Sequence, residues 1–137
     1  MHSFIRRFGL LEQGQTPCGM PLPLSQAHAL MELLRTPEIT QQELADRLAL
    51  SKSNISRLVA RLVAAGRARR LKDGQDGRAC RVVLTEKGQR LAAELDGRSL
   101  GRYRTLLGNL PEQERDTVLR ALSVLVEACR EDERSTS

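Results

Sequence analysis

Residues 40–66 read TQQELADRLALSKSNISRLVARLVAAG, and the pattern of this stretch decides the fold. It begins with a capping box, in which the Thr40 side chain accepts from the Glu43 N–H and the Glu43 side chain accepts from the Thr40 N–H. Ser51 offers a second N-cap shortly afterwards, because its hydroxyl can satisfy a free N–H of the next turn. The stretch therefore predicts two short helices joined by a tight turn.

The second of these helices has two distinct faces. Its apolar residues follow the i, i+3, i+4, i+7, i+8 spacing of one buried stripe, and they are Ile55, Leu58, Val59, Leu62 and Val63. Gly66 follows as a C-terminal cap, since glycine tolerates the left-handed backbone that ends many helices. The opposite face begins with polar and basic side chains, which we expect to be exposed.

Outward from this stretch, the period of the sequence changes. Residues 67–72 and 79–85 predict two strands, and the glycine-rich residues 73–78 predict the hairpin tip between them. Residues 24–36 predict a preceding helix, residues 14–23 a proline-rich loop, and Phe4, Ile5, Phe8 and Leu11 a short first helix. Two further helices begin near residues 84–88 and at Pro111.

This order of elements is that of a winged helix-turn-helix. The predicted fold class is mainly α with a small β-hairpin, and it has flanking dimerisation helices. We expect one domain over residues 1–137, with a lobe at 24–88 and dimerisation helices at 1–23 and 89–137.

The distribution of charge points to nucleic acid. The chain of 137 residues has a formal net charge of +5, whereas residues 51–81 alone hold nine basic and two acidic side chains, a net charge of +7. A basic block in an otherwise near-neutral chain is the electrostatic footprint of a nucleic-acid surface. A solvated charged face is the simpler explanation, but such faces are seldom so one-sided.

The candidate DNA-contacting residues lie on the second helix and on the hairpin tip. They are Lys52, Ser53, Asn54, Ser56, Arg57, Arg61, Asp76 and Arg78. Asn and Arg side chains make bidentate contacts with base edges in the major groove, whereas Lys52 and Arg61 are better placed for phosphates. A guanidinium at a hairpin tip suits a narrow minor groove, and Asp76 can hold Arg78 through a charge-assisted bond.

These segments resemble the multiple-antibiotic-resistance regulator (MarR) family. The resemblance rests on residues 50–59 (LSKSNISRLV), 62–66 (LVAAG), 73–78 (DGQDGR) and 84–88 (LTEKG), and it covers about residues 24–88. It implies a homodimer, repression by occluding a promoter, and a wing Asp–Arg pair that falls on Asp76 and Arg78. Gly77 departs from the pattern, because relatives often carry a second arginine there. This departure predicts weaker minor-groove binding.

The terminal helices carry more apolar surface than the DNA-binding lobe can cover. These side chains are Phe4, Ile5, Phe8, Leu11, Leu106, Leu110, Val118, Leu122, Leu125 and Val126. They can pack within one chain or across a two-fold axis, and the family resemblance favours the homodimer. Two-fold symmetry then predicts a near-palindromic operator in double-stranded DNA, with recognition helices about one DNA turn apart.

The signal that controls such a regulator is left open between three kinds of sensor. The family resemblance implies a small-molecule effector in a crevice between the dimer helices and the lobe, which would be lined here mostly by aliphatic residues. A thiol sensor is the second alternative, because Cys18 lies in a loop before a helix N-terminus. A metal sensor at His2, Cys18 and His28, with Glu12 or Glu32, is the third, but no spacing supports it and we predict no metal site. His28 is more often a structural histidine, and Cys80 and Cys129 are more often packing residues.

Several classes of protein are disfavoured. We expect no enzyme, no catalytic residues and no cofactor, because the chain has no nucleotide-binding glycine motif and no nucleophile beside a matched base. No apolar run is long enough for a membrane span, and the N-terminus does not have the pattern of a signal peptide, so we expect a cytoplasmic protein. A winged helix used only for protein contacts is the remaining alternative. Salt-dependent binding to a duplex would separate it from a DNA-binding protein.

Overall fold

The computed structural model describes residues 1–72 and 80–135, and within them six helices and three strands. The helices are α1 (His2–Phe8), α2 (Leu24–Arg35), α3 (Gln41–Arg47), α4 (Lys52–Ala64), α5 (Glu86–Gly108) and α6 (Glu112–Ser135). The strands are β1 (Ile39–Thr40), β2 (Ala68–Lys72) and β3 (Cys80–Leu84). The predicted fold class, a mainly helical winged helix-turn-helix, is confirmed.

Helix α1 is shorter than its apolar spacing predicted. It ends at Phe8 because Gly9 adopts a left-handed conformation with φ 89°, and the Gly9 N–H closes the last turn on the Arg6 carbonyl. Leu11 therefore lies outside the helix, and its side chain is 64% exposed. Within the helix, the rings of Phe4 and Phe8 stack with their centroids 5.4 Å apart, and Phe8 is buried.

The capping box at the start of α3 is confirmed. The Thr40 hydroxyl accepts from the Glu43 N–H at 3.1 Å, and the Glu43 carboxylate accepts from the Thr40 N–H at 2.9 Å. The Glu43 carboxylate also accepts from the Thr40 hydroxyl at 2.6 Å, and these bonds hold the pKa of Glu43 below its usual value. The turn to α4 passes through Ala49, which has a left-handed φ of 51°.

Helix α4 buries four of the five residues of its predicted stripe. Ile55, Leu58, Val59 and Leu62 are buried, but Val63 is 36% exposed, so its predicted place in the core is wrong. Val63 stands at the edge of the stripe in the last turn, where the chain has begun to leave the core. Gly66, with φ 67°, then ends the helix as predicted: its N–H donates to the Val63 carbonyl and the Arg67 N–H donates to the Leu62 carbonyl, the Schellman pattern.

The hairpin is part of a three-stranded antiparallel sheet in the order β1-β3-β2. Strands β2 and β3 agree with the prediction, whereas β1 was not predicted. Ile39 of β1 pairs with Val82 of β3, and Val82 also pairs with Arg70 of β2. Ile39 and Val82 are both buried, so the sheet closes one side of the core.

The chain divides into two compact units, residues 1–100 and 101–137. The first unit contains a continuous apolar core, whose largest fully buried side chains are Leu30, Leu44, Ile55, Leu62, Leu95, Val59 and Val82. The second unit contains the end of α5 and all of α6. The predicted domain limits are not tested by this division and stay a prediction.

The start of α5 is fastened to the end of α4. The Thr85 hydroxyl donates to the Gly66 carbonyl at 2.7 Å and accepts from the Gly88 N–H at 3.1 Å, while the Thr85 N–H donates to the Arg67 carbonyl at 3.0 Å. Lys87 Nζ donates to the Ala65 carbonyl at 3.0 Å. Gly88 is buried in this junction, and a Cβ there would overlap with the Arg67 carbonyl oxygen. The junction therefore requires glycine at residue 88.

The later part of α5, after the buried Leu95, and helix α6 expose apolar side chains. Leu100 and Tyr103 are exposed on α5, and Leu119, Leu122, Val124, Leu125 and Val126 are exposed on α6. In the part of the chain that the structure describes, no helix combines the length and apolar character needed to cross a membrane.

Candidate nucleic-acid interface

The polar side of α4 forms a continuous exposed surface, which we call the recognition face. It consists of Lys52, Ser53, Asn54, Ser56, Arg57 and Arg61, all of them exposed. The buried stripe of the same helix packs on the opposite side, so the amphipathic pattern orients these six side chains outward. Helix α4 contains no acidic residue. The face is therefore uniformly basic or neutral.

The N-terminal end of α4 is capped and electropositive. Ser51 accepts from the Asn54 N–H at 3.3 Å, and the hydroxyls of Ser51 and Ser53 lie 3.2 Å apart. The helix dipole adds partial positive charge at this end, where Lys52 contributes a full charge. Such an end attracts phosphate oxygens.

Two side chains of the recognition face are bonded to each other. Arg57 Nη2 donates to Asn54 Oδ1 at 2.7 Å, a short charge-assisted bond between residues three apart on the helix. From the sequence alone, each of the two side chains is expected to contact bases separately. Their spacing was the signal that could have predicted the pair.

The wing, which is the hairpin of β2 and β3, is bonded to α4 through β2. Arg70 Nη2 donates to the Ser56 carbonyl at 3.4 Å, so a strand residue contacts the backbone beneath the recognition face. The predicted wing residues Asp76 and Arg78 lie outside the described residues. Their role stays a prediction from the sequence.

A pocket of about 530 Å³ opens in the first unit, between the end of α2, the hairpin strands and the start of α5. We call it the strand pocket. Its wall is mostly aliphatic, with four polar side chains at its edge, and it is formed by Leu33, Leu34, Pro37, Glu38, Arg69, Leu71, Val83, Leu84, Gln89, Arg90 and Ala93. The residues come from four separate segments, so no local pattern in the sequence could have found the pocket.

Charge at the edge of the strand pocket is mainly positive. Arg69 is exposed and makes no hydrogen bond or ion pair with another described residue. Arg90 pairs with Glu86 at 3.2 Å, but both side chains are largely exposed. The pair therefore contributes little to stability, and Arg90 can leave Glu86 to pair with another anion. An amphipathic anion of moderate size fits such a pocket.

Cys18, the predicted thiol sensor, is half-buried and lies away from the strand pocket. Thr16 accepts from the Met20 N–H at 3.0 Å, which leaves its own hydroxyl proton free to donate to Cys18 Sγ, also at 3.0 Å. Ser99 Oγ donates to the same sulfur at 3.7 Å. Partial burial opposes ionisation, but the hydroxyls of Thr16 and Ser99, together with the backbone at Met20 and Cys18, outweigh it and lower the pKa of Cys18.

His28 lies on an exposed face of α2 and does not line the strand pocket. Its pKa is lowered, chiefly because neighbouring groups exclude water from part of the ring; Arg35 adds to this effect and Glu32 opposes it. Over residues 1–72 and 80–135, no three His, Cys, Asp or Glu side chains come together as a metal site. His2, Cys18 and His28 are therefore not brought together as ligands.

Comparison with known sequences gives a consistent relationship. The sequence profile of the MarR family matches residues 19–79. The HTH-type transcriptional regulator TtmR of Methylorubrum extorquens (strain PA1) is 30% identical over an alignment of 110 positions, and the match covers 73% of this chain. The chain spans 56% of the length of that relative.

Solved structures agree over most of the chain. A MarR transcriptional regulator from Methanosarcina mazei Go1 superposes with a TM-score of 0.74 and 26% identity, covering 94% of this chain and 93% of the other. A MepR–DNA complex from S. aureus gives a TM-score of 0.72 at 24% identity, covering 78% of this chain and 80% of the other. The MepR likeness shows the shared fold, while the profile match, the TtmR relative and the Methanosarcina mazei structure place the chain in the MarR family.

Proposed function

We propose that this protein binds double-stranded DNA as a homodimer and represses transcription by occupying a near-palindromic operator. The observation that carries the proposal is the recognition face, six exposed polar or basic side chains on a capped helix that has no acidic residue. A helix of this kind enters the major groove by its N-terminal end. Among the similar structures, MepR is a complex with DNA. The proposal also includes the predicted cytoplasmic location and assigns the protein no catalytic role.

The contacts divide between the two grooves. Ser53, Asn54, Ser56 and Arg57 face bases in the major groove, while Lys52 and Arg61 face phosphates. Asp76 and Arg78 complete the interface at the wing, where Arg78 enters the minor groove and Asp76 holds its guanidinium.

Binding to a fluorescently labelled duplex at increasing salt tests the proposal. Affinity should fall steeply from low to physiological salt, because each neutralised phosphate releases counterions. Arg57→Ala should lower affinity and relax sequence preference, whereas Arg78→Ala should lower affinity with less loss of preference. Arg98→Ala is the matched control, because Arg98 is an exposed arginine of α5 paired with Glu94 at 2.9 Å. A salt-independent affinity would instead favour a protein-interaction module.

The homodimer is supported by the exposed apolar side chains of α6. Leu119, Leu122 and Val126 recur at helical spacing, and all three are about half exposed in the single chain. A stripe of this kind normally marks an interface. Leu122→Lys should shift the molar mass measured by light scattering from dimer towards monomer. An unchanged dimer would remove this stripe from the interface.

The strand pocket supports control by a small-molecule effector. Its wall is mostly aliphatic, and the guanidinium of Arg69 has no partner among the described residues. Together these features suit an amphipathic anion of moderate size. Because β2 and β3 form one wall of the pocket, a ligand there would contact the two strands that lead to the hairpin tip. Benzoate should weaken DNA binding and benzyl alcohol, which has the same ring without the carboxylate, should not. Arg69→Gln should abolish the benzoate effect, whereas an equal response to both compounds would refute an anion site.

Control through the thiol of Cys18 is the second candidate. The observation in its favour is the pair of hydroxyls, Thr16 and Ser99, that lowers the pKa of Cys18. Hydrogen peroxide oxidises a thiolate to a sulfenic acid. If this is the signal, peroxide should release wild-type protein from DNA and leave Cys18→Ser bound. Equal release of both proteins would exclude Cys18.

A further inference from the structure

The bond between Asn54 and Arg57 fixes which hydrogen-bonding groups the recognition face offers to a base. Arg57 Nη2 lies 2.7 Å from the Asn54 side chain, and both residues are exposed. The backbone of Asn54 is itself held, because its N–H donates to Ser51 Oγ at 3.3 Å. The guanidinium is thus oriented by a residue that the helix cap holds in place.

The donor and the acceptor of the bond between Asn54 and Arg57 follow from the chemistry of the two side chains. A guanidinium only donates, so the Asn54 atom that faces it must be the amide oxygen. The amide nitrogen of Asn54 is left with two N–H donors, and Arg57 keeps four of its five. Adenine is read by asparagine through that oxygen, which must accept from the adenine amino group. In this arrangement Arg57 already uses one of the two lone pairs of that oxygen, so only one is left for a base.

We propose that Asn54 and Arg57 act as a single reader of guanine, in which Asn54 positions the guanidinium of Arg57. The inference rests on the DNA-binding function proposed above. Guanine presents two acceptors in the major groove, N7 and O6, which match the paired N–H groups of the guanidinium. Adenine and cytosine present an amino group there, which opposes a donor. Each half of the operator therefore contains a guanine that Arg57 contacts.

Arg61 provides the contrast on the same face. It lies one turn after Arg57, is exposed, and makes no side-chain bond with another described residue. A side chain that no neighbour orients suits a phosphate, which accepts from many directions. Arg61→Ala should weaken binding to all sequences by a similar factor, whereas variants of Asn54 and Arg57 should change which sequence is preferred.

The experiment begins with selection of bound duplexes from a random-sequence library by the wild-type protein. Guanine should be enriched at one symmetric position in each half-site. Replacing that guanine by 7-deazaguanine, which lacks only the N7 acceptor, should lower wild-type affinity by about tenfold. The same replacement should leave the affinity of Arg57→Ala unchanged.

Two variants of Asn54 separate positioning from direct contact. Asn54→Ala removes the oxygen that holds Arg57, and the preference for guanine over adenine should fall by about fivefold or more. Asn54→Asp keeps an oxygen acceptor, so it should keep the preference while its added charge lowers affinity for all sequences. Circular dichroism of both variants should match that of the wild type, because residue 54 is exposed.

Several results would overturn the inference. Enrichment of adenine that disappears in Asn54→Ala would show that Asn54 reads a base through its oxygen. A guanine preference that survives in Asn54→Ala would show that Arg57 needs no positioning partner. Salt-dependent binding with no guanine linked to Arg57 would refute the inference and leave the proposed function standing. If the protein binds no duplex at all, the proposed function fails and the inference fails with it.

Discussion

Replacement of Gly88 by alanine tests the junction between α4 and α5. A Cβ at residue 88 would overlap with the carbonyl oxygen of Arg67 and lie 2.9 Å from its carbonyl carbon. Both atoms belong to the backbone, so the overlap is relieved only if the first turn of α5 moves away from Arg67. That movement stretches the bonds from Thr85 to the carbonyls of Gly66 and Arg67, which are now 2.7 and 3.0 Å long.

The size of the effect follows from these contacts. Each of the two hydrogen bonds contributes about 1 kcal/mol, and overpacking adds strain of about 1–3 kcal/mol. The better helix propensity of alanine returns about 1 kcal/mol. Gly88→Ala should therefore lower the free energy of unfolding by about 2–4 kcal/mol. Urea unfolding followed by circular dichroism should show a midpoint lower by about 1–2 M.

Gly97→Ala is the matched control in the same helix. A Cβ at residue 97 would meet no atom within 4 Å, so the substitution should raise the free energy of unfolding by about 0.5–1 kcal/mol through helix propensity alone. A Gly88→Ala variant as stable as the wild type, beside a Gly97→Ala variant of raised stability, would contradict the expected overlap at residue 88. In that case the junction would have room for a side chain.

Three further predictions concern the capping box, the Cys18 thiol and the core. Because the pKa of Glu43 is lowered in the folded state, its contribution to stability is present above the ordinary pKa of a glutamate and is lost as pH falls through the folded value. The stability difference between wild type and Glu43→Gln in thermal unfolding should therefore be constant above the ordinary pKa of glutamate and shrink as pH falls below it. Thr16→Val removes the hydroxyl that donates to Cys18, so the pKa of Cys18 should rise and its alkylation by iodoacetamide at neutral pH should slow; an unchanged rate would assign the low pKa to Ser99 and the backbone at Met20 and Cys18. Val59→Ala should lower the free energy of unfolding by about 2–3 kcal/mol because Val59 is buried, whereas Val63→Ala should change it by less than about 0.5 kcal/mol, and equal losses in urea unfolding would contradict the assigned burial.

Local patterns predicted the elements whose causes are local. The capping box at Thr40, the cap at Ser51 and the C-terminal glycine at Gly66 depend on residues only a few positions apart, and the structure confirms all three. Strand β1 escaped prediction because it has two residues and depends on pairing with β3, about forty positions away in the chain. Leu11 and Val63 continue the apolar spacing of their helices, but spacing does not reveal where a helix ends or where the core stops.

The exposure of the recognition-face side chains was predicted from the sequence, but the bond between Asn54 and Arg57 was not. The amphipathic pattern of α4 places Asn54 and Arg57 outside, and only coordinates show that one holds the other. The strand pocket was beyond prediction for another reason. Its wall joins Leu33 of α2, Leu71 of β2 and Ala93 of α5, which come together only through tertiary packing.

The exposed Tyr103 on α5 has a spectroscopic consequence. It is the single tyrosine of a chain without tryptophan, so all tyrosine emission from the protein originates at one place. Tyrosine fluorescence therefore reports on the surroundings of Tyr103 on α5, and no label needs to be attached to follow them. The same composition makes near-ultraviolet absorbance weak, so protein concentration is better determined from the far-ultraviolet absorbance of the peptide bond or by amino-acid analysis.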